Sequence, residues 1–447
     1  MKISRHLVLS AMAVACAQVA VAGVSADEAA KLKSELTPLG AEKAGNKDGT
    51  IPAWTGGLSD PKAPRGGRRP DPFASEKPLF SITAQNLAQY ADKLAESQVA
   101  MFKKHPTYRI DVYKTHRTMA APQWVYDNTL KNATKASLTK DGAKVESAYG
   151  GIPFPIPKSA EEVMWNHRLA WRTPGWHQDF NVWLGTGGKL ILASSGQADY
   201  SMPYYYKDKA SDFKGVMWQI RQHTVAPAIR AGEAIIGREP IDDTAGNQTW
   251  TYVAGQRRVR KLPVSTYDVP TPASAGLLNF DEINVFAGAM DRYDWKLVGK
   301  KEVFIPYNSN KFLQPQKDSD VLGPNFLNPD HVRWELHRVW VVEANLKPGM
   351  RHTKPKRRFY CDEDSWVCAL GDSWDAKGQL VNAAWHLSYV APEAPGLLKG
   401  AFGVYDLITG DYVANSVLNT FQDQMPVTEP KSDSYFTPEA MAADGVR

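Results

Sequence analysis

The sequence predicts an α+β fold in which one large, curved, antiparallel β-sheet carries helices on its concave face. Long segments alternate apolar and polar residues, and turn-forming residues separate them, which is typical of a half-buried antiparallel sheet. The segment from Trp334 to Leu346 is the clearest case, because Leu336, Trp340 and Val342 share one face with Trp334. Helical segments rich in apolar residues also need a surface to cover, and one curved sheet supplies it.

The predicted elements follow one another in a simple order. A polar arm rich in Gly and Pro extends over residues 27–80 and must lean on the rest of the chain. A helix is expected at residues 84–104, and a second helix begins after Ser159. Strands dominate after residue 180. Because no repeat or linker divides residues 81–447, we expect a single domain with a helical cap and a C-terminal tail.

Residues 1–26 have the features of a secretory signal peptide. Lys2 and Arg5 give a positive start, and a largely apolar stretch with small residues follows to Ala22. That stretch is too short for a membrane span, and no later segment reaches about 18 apolar residues. Cys16 leaves open the alternative of a lipoprotein. We expect an exported protein that works in the periplasm, where association with the outer membrane is a further option.

The composition fits a large folded protein and argues against nucleic-acid binding. The chain of 447 residues is 43% hydrophobic and has 14 tryptophans, enough for a sizeable core. Its 53 basic residues nearly balance 48 acidic ones, and without Lys2 and Arg5 the net charge falls from +5 to +3. A protein that binds polyanions carries a denser basic surface.

Cys361 and Cys368 are expected to form a disulfide across a β-hairpin. The residues between them are acidic and turn-forming, and β-rich segments flank them. Folding the hairpin at its centre places the cysteines opposite each other, and exported proteins oxidise such pairs. The alternative is two separate buried thiols. The same register pairs Phe359 with Leu370 and Arg357 with Asp372, and residues 362–364 are expected to be a solvated tip.

The sequence contains no recognisable catalytic motif. Residues 185–189 lack the first glycine and the final Ser or Thr of a phosphate-binding loop. His167 with His177, or His331 with His337, could bind zinc only if the fold added a third ligand, so hydrogen-bonded structural histidines are the expected state. We therefore expect no cofactor, no metal and no enzymatic activity.

Aromatic residues are the main candidates for a binding function. Many tryptophans fall in predicted strands with the parity of the apolar face. A core position explains any one of them, but a sheet that curves round a hydrophobic ligand uses such residues as walls. The candidate ligand-binding residues are Trp250, Tyr252, Trp295, Trp334, Leu336, Trp340, Val342, Trp385 and Leu387.

A family resemblance rests on five segments, one of which contains Asp-Gly-Thr-Ile-Pro-Ala-Trp at residues 48–54. The segments are residues 36–57, 150–157, 255–260, 291–301 and 333–343. They resemble the exported proteobacterial family catalogued as domain of unknown function 1329. That family is similar to the LolA/LolB type of lipoprotein carrier, so the resemblance implies an unclosed half-barrel that holds acyl chains. It supplies no catalytic residues, and both the cysteine pair and the C-terminal tail depart from the family pattern.

Three functions are compatible with these observations. The first is a carrier or accessory protein for a hydrophobic small molecule or lipid. The resemblance implies an exporter of the resistance-nodulation-division (RND) type and a porin-like outer-membrane protein as its partners. The second is a periplasmic enzyme acting on a hydrophobic or aromatic compound, which would show a titratable pair with perturbed pKa values inside its cavity. The third is a structural subunit of an outer-membrane complex, with a filled core and an exposed apolar patch.

Overall fold

One open β-sheet organises this protein. The computed structural model describes residues 23–256, 258–262, 266–274 and 276–445. The strands are β1 (Phe80–Ile82), β2 (Ile110–Val112), β3 (Ser137–Leu138), β4 (Val145–Glu146), β5 (Gly175–Thr186), β6 (Lys189–Ser201), β7 (Val216–Ala226), β8 (Ala234–Pro240), β9 (Gln248–Val253), β10 (Arg258–Lys261), β11 (Tyr293–Pro306), β12 (Trp334–Leu346), β13 (Lys356–Asp362), β14 (Cys368–Trp374), β15 (Leu380–Val390), β16 (Leu397–Asp406) and β17 (Tyr412–Val417). The α-helices are α1 (Ala26–Ala30), α2 (Glu96–Lys104), α3 (Gln123–Lys135), α4 (Ala160–Arg168), α5 (Asp318–Val321) and α6 (Pro438–Gly445).

Fifteen of the described strands form this sheet, while β3 and β4 form a small separate pair. The order across the sheet is β1-β2-β12-β13-β14-β15-β16-β17-β5-β6-β7-β8-β9-β10, with β11 added beside β12. Strand pairs are antiparallel apart from β2 with β12. Within the described residues β1 and β10 do not pair with each other, so the sheet stays open. The predicted fold class, a large unclosed sheet with few helices, is confirmed.

Two runs of consecutive strands meet in the middle of the sheet. The first run is β5 to β10 and the second is β12 to β17. They join where β17 pairs with β5, with Val413 opposite Leu184 and Ala414 opposite Trp183. We call this junction the seam.

The two faces of the sheet differ in what covers them. We call the face that carries Phe359 the inner face and the face that carries Tyr360 the outer face, because neighbouring residues of a strand point to opposite sides. α4 lies on the inner face, where His167 hydrogen-bonds the carbonyl of Phe286, whose ring is 5.4 Å from Phe359. Seven of the nine α4 residues are buried, so this helix is part of the core.

The start of α4 follows a local sequence signal, whereas the helix predicted before it differs from the structure. The Ser159 hydroxyl accepts a hydrogen bond from the Glu162 N–H at 3.2 Å, as the predicted cap of α4 requires. The helix predicted at residues 84–104 is wrong in its first half, where two short 3₁₀ turns precede α2. The second half, α2, packs on the outer face, because the Ser97 N–H donates to Asp372 opposite Arg358.

The hairpin of β13 and β14 carries the expected disulfide between Cys361 and Cys368. The predicted register beside it is wrong, because a bulge lies between Tyr360 and Cys361. Phe359 is therefore opposite Gly371 instead of Leu370, and Arg357 is opposite Ser373 instead of Asp372. A bulge adds one residue to one strand and moves the following residues to the other face.

The acidic residues at the hairpin tip are buried, so the prediction of a solvated tip is wrong. Asp362, Glu363 and Asp364 are between 1% and 3% exposed. Burying a carboxylate is costly unless a cation and hydrogen bonds compensate it. The compensating contacts are Asp362 with His337 at 3.0 Å, Glu363 with Arg338 at 2.6 Å and with Lys300 at 2.7 Å, and Asp364 with Arg117 at 2.7 Å.

The same cations hold the N-terminal arm against the hairpin. Between residues 34 and 79 the arm contains no helix or strand, so its backbone groups need partners elsewhere. Arg117 donates to the carbonyl of Glu42 at 2.7 Å, and Arg338 donates to the carbonyl of Ala44 at 2.8 Å. The Trp366 indole donates to the carbonyl of Leu39 at 2.8 Å. The arm is thus fixed at the hairpin tip.

Residues 1–22 of the predicted signal peptide lie outside the described residues. Its last four residues, 23–26, are part of the fold. Val24 is buried and its N–H donates to the carbonyl of Ala133 at 2.7 Å, while Ser25 caps α1 in a capping box with Glu28. None of the helices that the structure describes has the length and hydropathy of a membrane span.

These contacts predict where an exported form begins. Cleavage after Ala26 would remove the cap Ser25, at a cost of about 1 kcal/mol, and the buried Val24. Cleavage after Ala22 keeps both, so we expect the mature chain to begin at Gly23. Intact-mass measurement of protein taken from the periplasm of a producing bacterium checks this, and a mass corresponding to a start at Asp27 would contradict it.

The buried pair of His337 and Asp362 predicts a loss of stability at alkaline pH. Burial lowers the pKa of His337, but hydrogen bonds to Asp362 and Glu335 outweigh it and raise the pKa to about 9. The contribution of the protonated His337 to the free energy of unfolding is complete below the unfolded-state pKa of about 6.5. This contribution, up to about 3 kcal/mol, is lost as the pH rises towards 9. Denaturant unfolding between pH 6.5 and 9 should show this loss in the wild type and in His331→Gln, but not in His337→Gln. If the free energy of unfolding changes with pH in the same way in all three proteins, His337 is not the residue responsible.

Candidate functional site

A cavity of about 190 Å³ opens on the inner face of the sheet, beside the seam. Strands from both sides of the seam form its floor, and residues 271–274 and 276–287, which we call the cover segment, lie over it. The residues that follow α4 close one end. Its lining residues are Arg168, Arg172, Trp176, Gln178, Phe180, Val182, Tyr200, Trp218, Ile220, Gln222, Arg230, Ile235, Gly237, Arg238, Glu239, Asn247, Thr249, Thr271, Pro272, Ala273, Phe280, Ile283, Asn284, Phe286, Ala287, Lys399, Gly400, Phe402, Asn415 and Ser416.

Aromatic and aliphatic side chains make most of the floor. Alternate residues of β5 point to the inner face, which brings Trp176 and Phe180 to the cavity. The ring of Trp176 stacks on Tyr200 of β6 at 4.5 Å. β7 adds Ile220 and β16 adds Phe402. Such a wall is suited to an apolar ligand.

The cover segment is tied to the sheet by buried ion pairs. Asp281 contacts Arg357 of β13 at 2.6 Å and His352 at 2.9 Å, and Glu282 contacts Lys354. Burial raises the pKa of Asp281, but the charge of Arg357 and the hydrogen bond with His352 outweigh it and lower the pKa to about 2. Asp281 is therefore ionised at neutral pH and fixes the cover segment over the cavity.

A second ion cluster closes the end of the cavity at α4. Arg168 contacts Glu239 of β8 at 2.9 Å and Asp243 at 2.8 Å. Glu239 also accepts a hydrogen bond from the indole of Trp218. The carboxylate that lines the cavity is thus already committed to protein partners.

His167 joins the disulfide hairpin to the cover segment. Its Nδ1 accepts a hydrogen bond from the N–H of Cys368 at 2.9 Å, so the proton sits on Nε2, which donates to the carbonyl of Phe286 at 3.0 Å. Burial, and then the charge of Lys399, lower the pKa of His167 well below its usual value. His167 is a neutral structural bridge.

Two cationic side chains of the cavity wall are buried without an ion pair. Arg172 and Lys399 are each 8% exposed, and no carboxylate of the described chain lies within 4 Å of either. Lys399 donates to the carbonyl of His167 at 3.2 Å. Burial lowers the pKa of Arg172 to about 10 and the pKa of Lys399 well below its usual value.

The residues proposed from the sequence lie outside this cavity. Trp340 is opposite Cys361 and Val342 is opposite Phe359, so both are on the inner face, as is Trp295 opposite Ala344. Trp295 packs behind the cavity wall, 5.4 Å from the ring of Phe286. Leu336 and Val342 are buried in the core, where α4 and the arm already cover this half of the sheet.

Four of the proposed residues are on the outer face. Trp385 is opposite Leu370, which is opposite Tyr360, and Leu387 has the same parity. Trp385 and Leu387, together with Trp334, line a separate cavity of about 20 Å³. Trp250 and Tyr252 pack against the C-terminal residues Phe436 and Met441. Ligand binding by these nine residues stays a prediction, and the geometry favours the larger cavity instead.

The sequence pattern indicates the residues of the inner-face cavity only weakly. Trp176, Gln178, Phe180 and Val182 alternate along β5, as do Trp218, Ile220 and Gln222 along β7. Alternation shows that a face is covered, but not whether protein or ligand covers it. The cations Arg172 and Lys399 could not be recognised, because their lack of partners is a property of the folded chain.

Among the residues that the structure describes, one group of side chains has the spacing of a metal site. Ligand atoms of His337, Asp362 and Asp364 lie within 4.8 Å of one another. Each already has protein partners, and Arg117 contacts both oxygens of Asp364. The arrangement is an ion-pair cluster, which agrees with the prediction that His337 is hydrogen-bonded and structural.

Comparisons with known proteins identify relatives of this chain. A family profile described as a protein of unknown function (DUF1329) matches residues 81–442. An uncharacterized protein of Pseudomonas aeruginosa is 41% identical over 465 residues, which cover 100% of this chain and 99% of that protein. A DUF1329 family protein from Desulfovibrio piger is 14% identical, with a TM-score of 0.41 over 60% of this chain and 92% of that one. A putative outer membrane lipoprotein-sorting protein domain from Vibrio parahaemolyticus is 10% identical, with a TM-score of 0.43 over 63% of this chain and 97% of that one.

The anchoring of the cover segment can be tested with Asp281→Asn. Removing this charge leaves Arg357 buried without its partner, which should lower the free energy of unfolding by about 3 kcal/mol. Asp294→Asn is the control, because Asp294 is exposed on β11 and has no ion pair in the part of the chain that the structure describes. Denaturant unfolding measures both. A loss below about 0.5 kcal/mol in Asp281→Asn would contradict the role of the pair.

Proposed function

This chain belongs to the DUF1329 family, and we propose that it is a carrier that binds a hydrophobic ligand in the cavity on its inner face. The observation that carries the proposal is the cavity itself. Trp176, Phe180, Ile220 and Phe402 give it an apolar wall, and the cover segment lies over it. A core filled by protein side chains would have left no such space.

The energetics of burial are sufficient for reversible binding. Each methylene group removed from water contributes about 0.8 kcal/mol. Roughly ten carbons could therefore give micromolar affinity when the cost of association is at the low end. A carrier needs such intermediate affinity, because it must also release its ligand.

The proposed place of action is the periplasm. The signal-like residues 1–26 and the disulfide of Cys361 and Cys368 support it, because disulfides persist in oxidising compartments. The family resemblance implies an RND-type exporter and a porin-like outer-membrane protein as partners. These partners belong to the proposal and rest on that resemblance alone.

A catalytic function has one observation in its favour, the perturbed pKa values in the cavity. A neutral Lys399 amine could act as a nucleophile, but catalysis also needs an acid or base beside it. Both ring nitrogens of His167 are engaged, and Glu239 is held by Arg168 and Trp218. The ring nitrogens of His386 have no partner among the described residues, but His386 does not line the cavity. The geometry therefore favours binding over catalysis.

The cavity can be tested with a charge placed in its wall. Ile220→Glu should weaken binding of the neutral probe N-phenyl-1-naphthylamine by at least about tenfold, because a carboxylate among apolar side chains must be desolvated by the ligand. Ile191→Glu is the matched control, since Ile191 is 47% exposed on the neighbouring strand β6 and does not line the cavity. Probe fluorescence and thermal melting are measured on the same samples.

Two results would overturn the proposal. Wild-type protein that does not bind the neutral probe, after extraction of any bound lipid, has no hydrophobic site. A folded Ile220→Glu protein that binds the probe like the wild type places the site elsewhere.

A further inference from the structure

The buried cations of this protein divide into two groups. Ten Arg and Lys residues of the described chain are buried. Eight of these ten residues lie within 4 Å of a carboxylate: Arg69, Arg117, Arg168, Arg221, Arg333, Arg338, Lys354 and Arg357. The exceptions are Arg172 and Lys399, and both line the cavity. A basic side chain that is buried away from any carboxylate is unfavourable in its charged form, so two such residues at one cavity need an explanation.

Unpartnered hydrogen-bond donors gather at the same place. Four buried N–H groups of lining residues on the inner face have no partner: Nε of Arg168, Nε of Arg172, the indole Nε1 of Trp176 and the amide Nε2 of Gln178. None of the unpartnered acceptor atoms among the described residues belongs to the cavity lining. Among the buried side-chain atoms without a partner, the described cavity lining therefore offers donors only.

On this basis, and resting on the proposed carrier function, we infer that Arg172 and Lys399 bind the acidic headgroup of an amphiphilic ligand. The ligand class is a carboxylate or phosphate group on an apolar chain. Its oxygens would accept hydrogen bonds from the unpartnered donors and compensate the two buried cations, which charge-assisted hydrogen bonds do efficiently. The apolar chain would lie along Ile220, Ile235 and the cover segment.

Arg172 is held ready for such a contact. Its guanidinium lies 5.8 Å from the ring centroid of Trp176, and one Nη donates to the carbonyl of Arg168 at 3.4 Å. These contacts orient the side chain without neutralising it. Arg172 and Lys399 line the same cavity, and burial together with the charge of Arg172 lowers the pKa of Lys399.

Nearby carboxylates do not replace a ligand. Glu239 favours the charged forms of both cations at longer range, but it is paired with Arg168 and bound by Trp218. Asp243 is held by Arg168 and by the N–H of Met290 at 2.9 Å. The acidic group of a ligand would meet no competing carboxylate at Arg172 or Lys399.

The test compares three ligands with the same C16 chain on delipidated full-length protein. Palmitate, hexadecyl phosphate and hexadecanol displace N-phenyl-1-naphthylamine from the wild type and from three variants. We expect palmitate, hexadecyl phosphate or both to bind at least about tenfold more tightly than hexadecanol. The stronger of the two acids distinguishes a carboxylate from a phosphate headgroup.

The variants locate the headgroup. Arg172→Gln and Lys399→Met should each remove most of the preference for the acids and leave hexadecanol binding unchanged. Arg230→Gln is the matched control, because Arg230 also lines the cavity but is paired with Glu233 at 2.9 Å. It should change the binding of all three ligands equally.

The outcomes separate this inference from the carrier proposal. If wild-type protein binds hexadecanol as tightly as both acids, the headgroup assignment is wrong and the carrier proposal stands. If it binds neither the neutral probe nor any C16 ligand, the carrier proposal fails as well. An acid preference that survives in folded Arg172→Gln and Lys399→Met proteins places the headgroup elsewhere. The comparison of the two acids with hexadecanol uses wild-type protein alone, so it tests the inference even if a variant does not fold.

Discussion

The burial of three consecutive carboxylates at the tip of a hairpin is the constraint on which much of this structure depends. Asp362, Glu363 and Asp364 can stay ionised away from water only if cations reach them. Arg117 and Arg338 do so, and their remaining N–H groups bind the backbone of the arm. The tip, the arm and β12 are thus fixed relative to one another by a shared need for charge compensation.

The inner face is organised from the same hairpin. The backbone of Cys368 orients His167, and His167 in turn binds the cover segment at Phe286. One residue later in α4, Arg168 reaches across to Glu239 of β8. A single buried helix therefore connects the hairpin, the cover segment and the far side of the cavity, which explains why so little of α4 is exposed.

The sequence was a good guide to elements and a poor guide to the site. The bounds of β12 and the Ser159 cap of α4 follow from periodicity and local hydrogen bonding, and the cysteine pair follows from the hairpin turn. The register beyond Cys361 could not be predicted, because one bulge residue reverses the faces without changing the pattern. The residues of β12 that were predicted to bind a ligand do not line the cavity. Protein side chains bury both faces of that strand, so the alternation of apolar residues could not distinguish a ligand from the protein core.

The seam between β17 and β5 also determines when during folding the cavity can exist. Its wall combines residues 176–182 of β5 with residues 399–416 of β16 and β17, which are separated by more than half of the described chain. During synthesis or export from the N-terminus, β5 to β10 are available long before their partner strands, and pairs of such high sequence separation form slowly. The cavity wall on these early strands lacks its β16 and β17 part until residue 417 has arrived. The cavity is therefore complete only in the finished chain, and an incomplete chain would present the same surface as a site for aggregation or for a chaperone.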